Sequence, residues 1–171
     1  MNYYKEIKNE LINNEITKKV KDYSKNRSDL TTYYNVGKLL SEAGKHYGEG
    51  IIREYSRKLT IELGTKYSIR VLYKMLKFYN FMVVEKLPTL SAKLTWSHYD
   101  ELLKLNDIDE INYYIMITEQ QNLSIRQLRE KIKNKEYKRL DEVTKNKLIT
   151  NTSPTVIDFI KNPIVIKNNT N

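Results

Sequence analysis

The sequence predicts a mainly α fold, a helical domain containing a helix-turn-helix, and leaves open a short wing-like strand segment. Three observations carry this reading. Apolar residues recur at three- and four-residue spacing through most of the chain. Strand-like alternation is confined to one short stretch, and Ser, Asp and Gly stand where helices should start and stop. With 171 residues, 40% of them hydrophobic, five glycines and three prolines, the chain is long enough for one domain with a real core and a short appendage.

Residues 3–23 carry Tyr4, Ile7, Leu11, Ile12, Ile16 and Val20 on one helical stripe. Residues 29–44 carry Leu30, Tyr33, Tyr34, Val36, Leu39 and Leu40. A third helix over 50–63 aligns Ile51, Tyr55, Leu59 and Leu63, and Gly64 should stop it. Ser68 should cap a fourth helix over 69–82, with Ile69, Leu72, Leu76 and Tyr79 inward. Beyond Pro88, the stretch LSAKLTW alternates for a few residues and reads as a wing strand or a loop. Ser97 with Asp100 should open a short helix through Leu105, and Asp107 with Glu110 another through about Gln120. Ser124 with Gln127 is the best capping box, opening a helix over 125–139 that buries Leu128 and Ile132. Past Leu140 the periodicity fades, so 1–140 reads as the helical domain and 141–171 as a linker or tail.

Composition narrows the chemistry. Without cysteine there is no disulfide, thiolate metal site or cysteine nucleophile, and two histidines, His46 and His98, nearly exclude imidazole metal sites and histidine triads. No metal, no cofactor and no enzymatic activity are therefore expected. His98 reads as a hydrogen-bonded structural histidine and Trp96 as a packing anchor. The triplets Glu6-Ile7-Lys8 and Glu136-Tyr137-Lys138 read as solvated helix faces rather than a nuclease centre. No apolar run reaches membrane-spanning length, and the opening MNYYKEIKNE is not a secretory signal, so a cytoplasmic location is expected.

Charge is patterned along the chain. Within the net +9, residues 45–82 carry +5, 100–123 carry −5 and 124–140 carry +5, while the remaining segments together add only +4. Six of seven arginines (Arg53, Arg57, Arg70, Arg126, Arg129, Arg139) lie in the two basic blocks, as anion contacts would require. The helix pair at about 50–82, joined by a short glycine-containing turn, has the organisation of a helix-turn-helix. Its second helix offers free N–H groups at Ser68 and projects Arg70, Tyr73, Lys74 and Lys77 from one side. Most of the fourteen tyrosines read as core or boundary residues rather than base-stacking platforms.

An ordered set of unlike motifs then becomes informative. Tyr34-Asn35-Val36-Gly37-Lys38 is followed by Tyr47-Gly48-Glu49-Gly50, by Leu94-Thr95-Trp96-Ser97-His98-Tyr99 with Leu102-Leu103, by Leu123-Ser124-Ile125-Arg126-Gln127-Leu128-Arg129, and by Tyr137 to Leu140. Over about residues 15–140 this set resembles the N-terminal domain of the YhcG family. The resemblance implies a mostly helical domain bearing a helix-turn-helix, normally followed by a PD-(D/E)XK nuclease-like domain, in proteins associated with mobile elements and defence against foreign DNA. Asp158-Phe159-Ile160-Lys161-Asn162-Pro163 resembles the usual junction to that second domain; residues 141–171 are expected to be a linker or tail without it, so its cleavage activity is not carried over to these residues.

The expected function is a non-catalytic, nuclease-associated DNA-binding module with double-stranded DNA as partner. Lys66, Arg70, Tyr73, Lys74 and Lys77 would meet the groove, Ser68 the phosphate at the helix start, and Arg53, Arg57 and Lys58 further phosphates. Five or six phosphate contacts imply a log-log salt slope of roughly −5. The alternative is a protein-interaction or dimerisation module, with Arg126, Arg129 and Lys133 facing the acidic block of the same or a second chain, a homodimer, a partner protein or a nuclease subunit. No membrane contact is expected.

Overall fold

The helical spacing carries over into a computed structural model that describes residues 2–20, 25–48, 50–84 and 93–149. These residues form α1 (Tyr3–Val20), α2 (Lys25–Tyr47), α3 (Gly50–Leu63), a 3-10 turn (Thr65–Tyr67), α4 (Ile69–Val84), α5 (Trp96–Leu102), α6 (Ile108–Gln121), α7 (Ile125–Lys133), α8 (Glu136–Arg139) and α9 (Glu142–Ile149). No strand occurs among the described residues. Of the stretch considered for a wing, Lys93 is a bend and Leu94 and Thr95 are irregular, while 90–92 lie outside the described residues, as does 150–171. The chain divides into two compact units, 1–100 and 101–171.

In the first unit α2 is the central element and packs against both α1 and α4. The core takes Ile7 and Leu11 from α1, Val36 and Leu40 from α2, Ile52 and Leu59 from α3, and Leu72 and Met75 from α4. Ile16, on the predicted α1 stripe, is instead 54% exposed, because the buried face of α1 runs through Tyr3, Ile7, Leu11 and Asn14 and Ile16 stands off it. The second helix is longer than predicted. It passes Gly44 and ends at Gly48, whose φ of +80° is the left-handed conformation that glycine adopts without strain.

Gly37 has a different task. A Cβ there would fall on the carbonyl oxygen of Met75 and 2.7 Å from Cβ of Tyr79, so the α2–α4 crossing is closed to any side chain at this position. The flanking residues suit that close approach: Val36 and Leu40 are buried, and the Tyr34 ring meets Tyr79 edge-on at 5.2 Å. Trp96 is the packing anchor the sequence suggested, its ring edge-on to Tyr33 at 4.6 Å and to Phe78 at 5.6 Å.

The start of α5 differs from the predicted Ser97–Asp100 capping box. Thr95 occupies the cap: its carbonyl accepts from the N–H groups of His98 and Tyr99, and its own N–H donates to Nδ1 of buried His98 at 3.0 Å. His98 thus takes the part that Glu or Gln plays in the usual box. Asp100 points instead to α4, as described below.

The second unit is read well by its caps. Asp107 accepts from the N–H groups of Asp109 and Glu110 at the start of α6. Ser124 and Gln127 form the reciprocal box at α7, Ser124 N–H donating to Gln127 Oε1 at 2.8 Å and Gln127 N–H to Ser124 Oγ at 3.3 Å. The single helix expected over 125–139 is broken, however, at Lys135, whose φ is +53°. The cause is Tyr114, fully buried on α6. Its hydroxyl donates to the carbonyl of Lys131 at 3.2 Å and accepts from the N–H of Tyr137 at 3.5 Å, while Lys135 N–H turns to Ile132. A continuous helix would have bonded Lys135 to Lys131; the phenol takes that place. The segment read as a linker or tail opens with α9, where Thr144 is buried and its N–H donates to Asp141 at 2.7 Å.

Candidate nucleic-acid interface

The 14-residue α3 and 16-residue α4 are joined by Gly64, the 3-10 turn and Ser68. Gly64 stops α3 with a φ of +96°. Tyr67 is buried in the turn, and Ser56 Oγ donates to its carbonyl at 3.3 Å, which ties the turn back to α3. Ser68 has the extended backbone of an N-cap, and its carbonyl accepts from Val71 and Leu72. Buried Ile52, Tyr55 and Leu59 of α3 and Leu72, Met75 and Phe78 of α4 define the inward sides.

The outward sides carry the nominated residues in unequal states. Arg53, Arg57 and Arg70 are exposed and make no ion pair among the described residues. Lys77 and Tyr73 are also exposed, Tyr73 at 43%. Lys58, Lys66 and Lys74 each meet a carboxylate. Lys58 Nζ sits 2.6 Å from Glu54, Lys66 2.9 Å from Glu15 of α1, and Lys74 2.7 Å from Asp100. Of the two α3 carboxylates, Glu54 is taken by Lys58, while Glu62 meets Lys8 and the Tyr4 hydroxyl of α1. Helix α4 contains no acidic residue. Among the exposed cations of the two helices, the three arginines are therefore less committed than the paired lysines that the charge count weighted equally.

Ile61 is the residue that sequence reasoning missed. It follows Arg53 and Arg57 at four-residue intervals and is 85% exposed. It lies off the apolar stripe of α3, and that offset was the available signal.

The Lys66–Glu15 pair yields a pH prediction. The hydrogen bond from Lys66 holds the Glu15 carboxyl below its ordinary value of 4.5, aided by the charges of Lys66 and Lys18 and by the Tyr67 hydroxyl, and opposed by burial. A lowered folded-state pKa contributes stability above the ordinary value, and that contribution disappears as pH falls through the lowered one. Glu15→Gln should therefore destabilise the protein at about pH 7, and the difference should shrink progressively as the pH is taken below 4.5. Urea denaturation of both proteins across this pH range checks this.

In the second unit, Arg126 and Lys133 are exposed on α7, but Arg129 is committed within the unit: its guanidinium lies 2.7 Å from Glu101 Oε1, and Lys104 takes Oε2 at 2.6 Å. Burial raises the Glu101 carboxyl, and the two cations outweigh it to give a net lowering. The acidic and basic blocks thus meet inside one unit at this point. Among the described residues no group of three or more His, Asp or Glu side chains is placed to hold a metal ion, and no helix is long and apolar enough to cross a membrane.

The sequence model of the DUF1016 N-terminal domain matches residues 6–139, the family to which the YhcG N-terminal domain corresponds. No curated protein and no solved structure matches the chain.

Proposed function

The chain belongs to the DUF1016 N-terminal domain family, and from that premise we infer that it is a non-catalytic DNA-binding module working through α3 and α4 as a helix-turn-helix. One observation carries the reading. Arg53, Arg57 and Arg70 stand exposed on two helices joined by a short turn, whose carboxylates are either engaged by other groups or, on α4, lacking altogether. Arginine in this state suits phosphate and base-edge contacts, since its planar fork donates two parallel hydrogen bonds and sheds water more readily than lysine. Exposed Ile61 and Tyr73 give the same surface apolar contact for sugars and thymine methyl groups. Duplex DNA is the partner that this combination fits. The paired lysines contribute less, because Glu54, Glu15 and Asp100 compete with phosphate for them.

The test is fluorescence anisotropy with a labelled duplex of mixed sequence. Replacing Arg53, Arg57 and Arg70 together by Glu should weaken binding by about tenfold or more, with circular dichroism confirming the fold. The pair Arg126→Glu and Lys133→Glu should leave affinity unchanged. Equal loss in both variants, or no binding by the unaltered protein, would refute the assignment.

A further inference from the structure

Beside the arginine face lies a feature that duplex binding does not use. A cleft of about 340 Å3 opens where the start of α1, the end of α2 and the first turns of α3 meet, and its lining includes Tyr3, Tyr4, Tyr47, Tyr55, Glu54 and Lys58. The rings brace one another: Tyr4 packs on Tyr55 at 5.4 Å, Tyr3 stacks on His46 at 5.8 Å, and Tyr47 stands edge-on to Tyr3 at 6.3 Å. Tyr3 and Tyr55 are buried, whereas Tyr47 is 61% exposed. A tyrosine held by its neighbours yet open to solvent on one side is a plate awaiting a flat partner, and base–aromatic stacking of this kind tolerates any base.

The charge around the cleft selects the partner. A cage of tyrosines could in principle hold a cation, but Lys58 Nζ already lies 5.4 Å from the Tyr4 ring centroid and is bonded to Glu54. A second cation would meet that ammonium. An uncharged π-system meets no such conflict: it finds a ring to stack on in a cleft where Lys58 and Glu54 neutralise each other, while a phosphate attached to it would draw on Arg53 and Arg57 of the same helix. The geometry points to a stacking site for an unpaired nucleobase, making DNA with a single-stranded nucleotide next to a duplex the preferred substrate over a blunt duplex. The duplex part of this statement rests on the DNA-binding reading above; the cleft part does not.

The experiment uses the full chain and four probes: a blunt duplex, the same duplex with a three-nucleotide overhang of either polarity, and the overhang strand alone, with 2-aminopurine at the first unpaired position. The overhang duplex should bind about tenfold tighter than the blunt one, with quenching of 2-aminopurine. Tyr47→Ala, whose exposed ring can be removed without opening the core, should abolish the preference and the quenching while keeping blunt-duplex affinity. Tyr47→Trp should retain both. Blunt binding without an overhang preference or quenching would overturn the cleft assignment alone. Tyr47-dependent quenching of the single strand without blunt binding would overturn the duplex reading and uphold the cleft, and no binding to any probe would overturn both.

Discussion

Gly37→Ala should destabilise the first unit by about 3 kcal/mol, and Gly37→Val should leave it unfolded. A methyl group at residue 37 would clash with a backbone carbonyl of α4 rather than with the end of a movable side chain. Relief requires α2 and α4 to separate along the contact that organises the unit, loosening Val36, Leu40, Leu72 and Met75 together. Gly44, seven residues on in the same helix, provides the control. Nothing lies within 4 Å of a Cβ built there, so Gly44→Ala should stabilise by about 0.5–1 kcal/mol through helix propensity. Opposite signs from the same substitution in one helix, read by thermal and urea denaturation, would separate close packing from propensity.

Tyr114→Ala should cost about 4 kcal/mol in the second unit, combining loss of a fully buried ring with loss of its hydroxyl. Tyr114→Phe isolates the hydroxyl and should cost about 2 kcal/mol, because the carbonyl of Lys131 loses its donor and the N–H of Tyr137 its acceptor in a buried place. Burial, resisted by the hydrogen bond from the Tyr137 backbone and reinforced by the charges of Glu110 and Glu136, pushes the phenol up to about 12. It remains a neutral donor throughout the working range. Hydrogen exchange should show residues 131–137 opening first in Tyr114→Phe, and an unchanged pattern would mean that the break in the helix is held by something else.

These two residues mark how far the sequence could be read. Helix starts at Asp107 and Ser124 were legible because a cap is made within four residues, and the Lys58–Glu54 pair follows from i,i+4 spacing on one helix. The break at Lys135 was hidden, since its cause sits on α6 and nothing local forbids a helix through residue 135. The cap of α5 was misplaced because histidine is not a usual third-position partner, yet His98 fills that part. The state of the candidate site was legible only in part. The sequence ranked Lys66 and Lys74 with Arg70, but Glu15 and Asp100 reach them through the tertiary fold. Gly37 stood within a recognised motif, and its reason became visible only when α4 was laid across it.

The same pairing changes the magnitude expected of DNA binding. Five or six contacts would have implied a slope near −5, whereas three arginines without an ion pair among the described residues, at about −0.9 each, imply about −3. The decisive measurement is the affinity for labelled duplex DNA across about 50–200 mM salt. A log-log slope of about −3 that approaches zero when Arg53, Arg57 and Arg70 are replaced by Glu supports the account. A slope near zero in the unaltered protein, or one that survives the replacement, contradicts it.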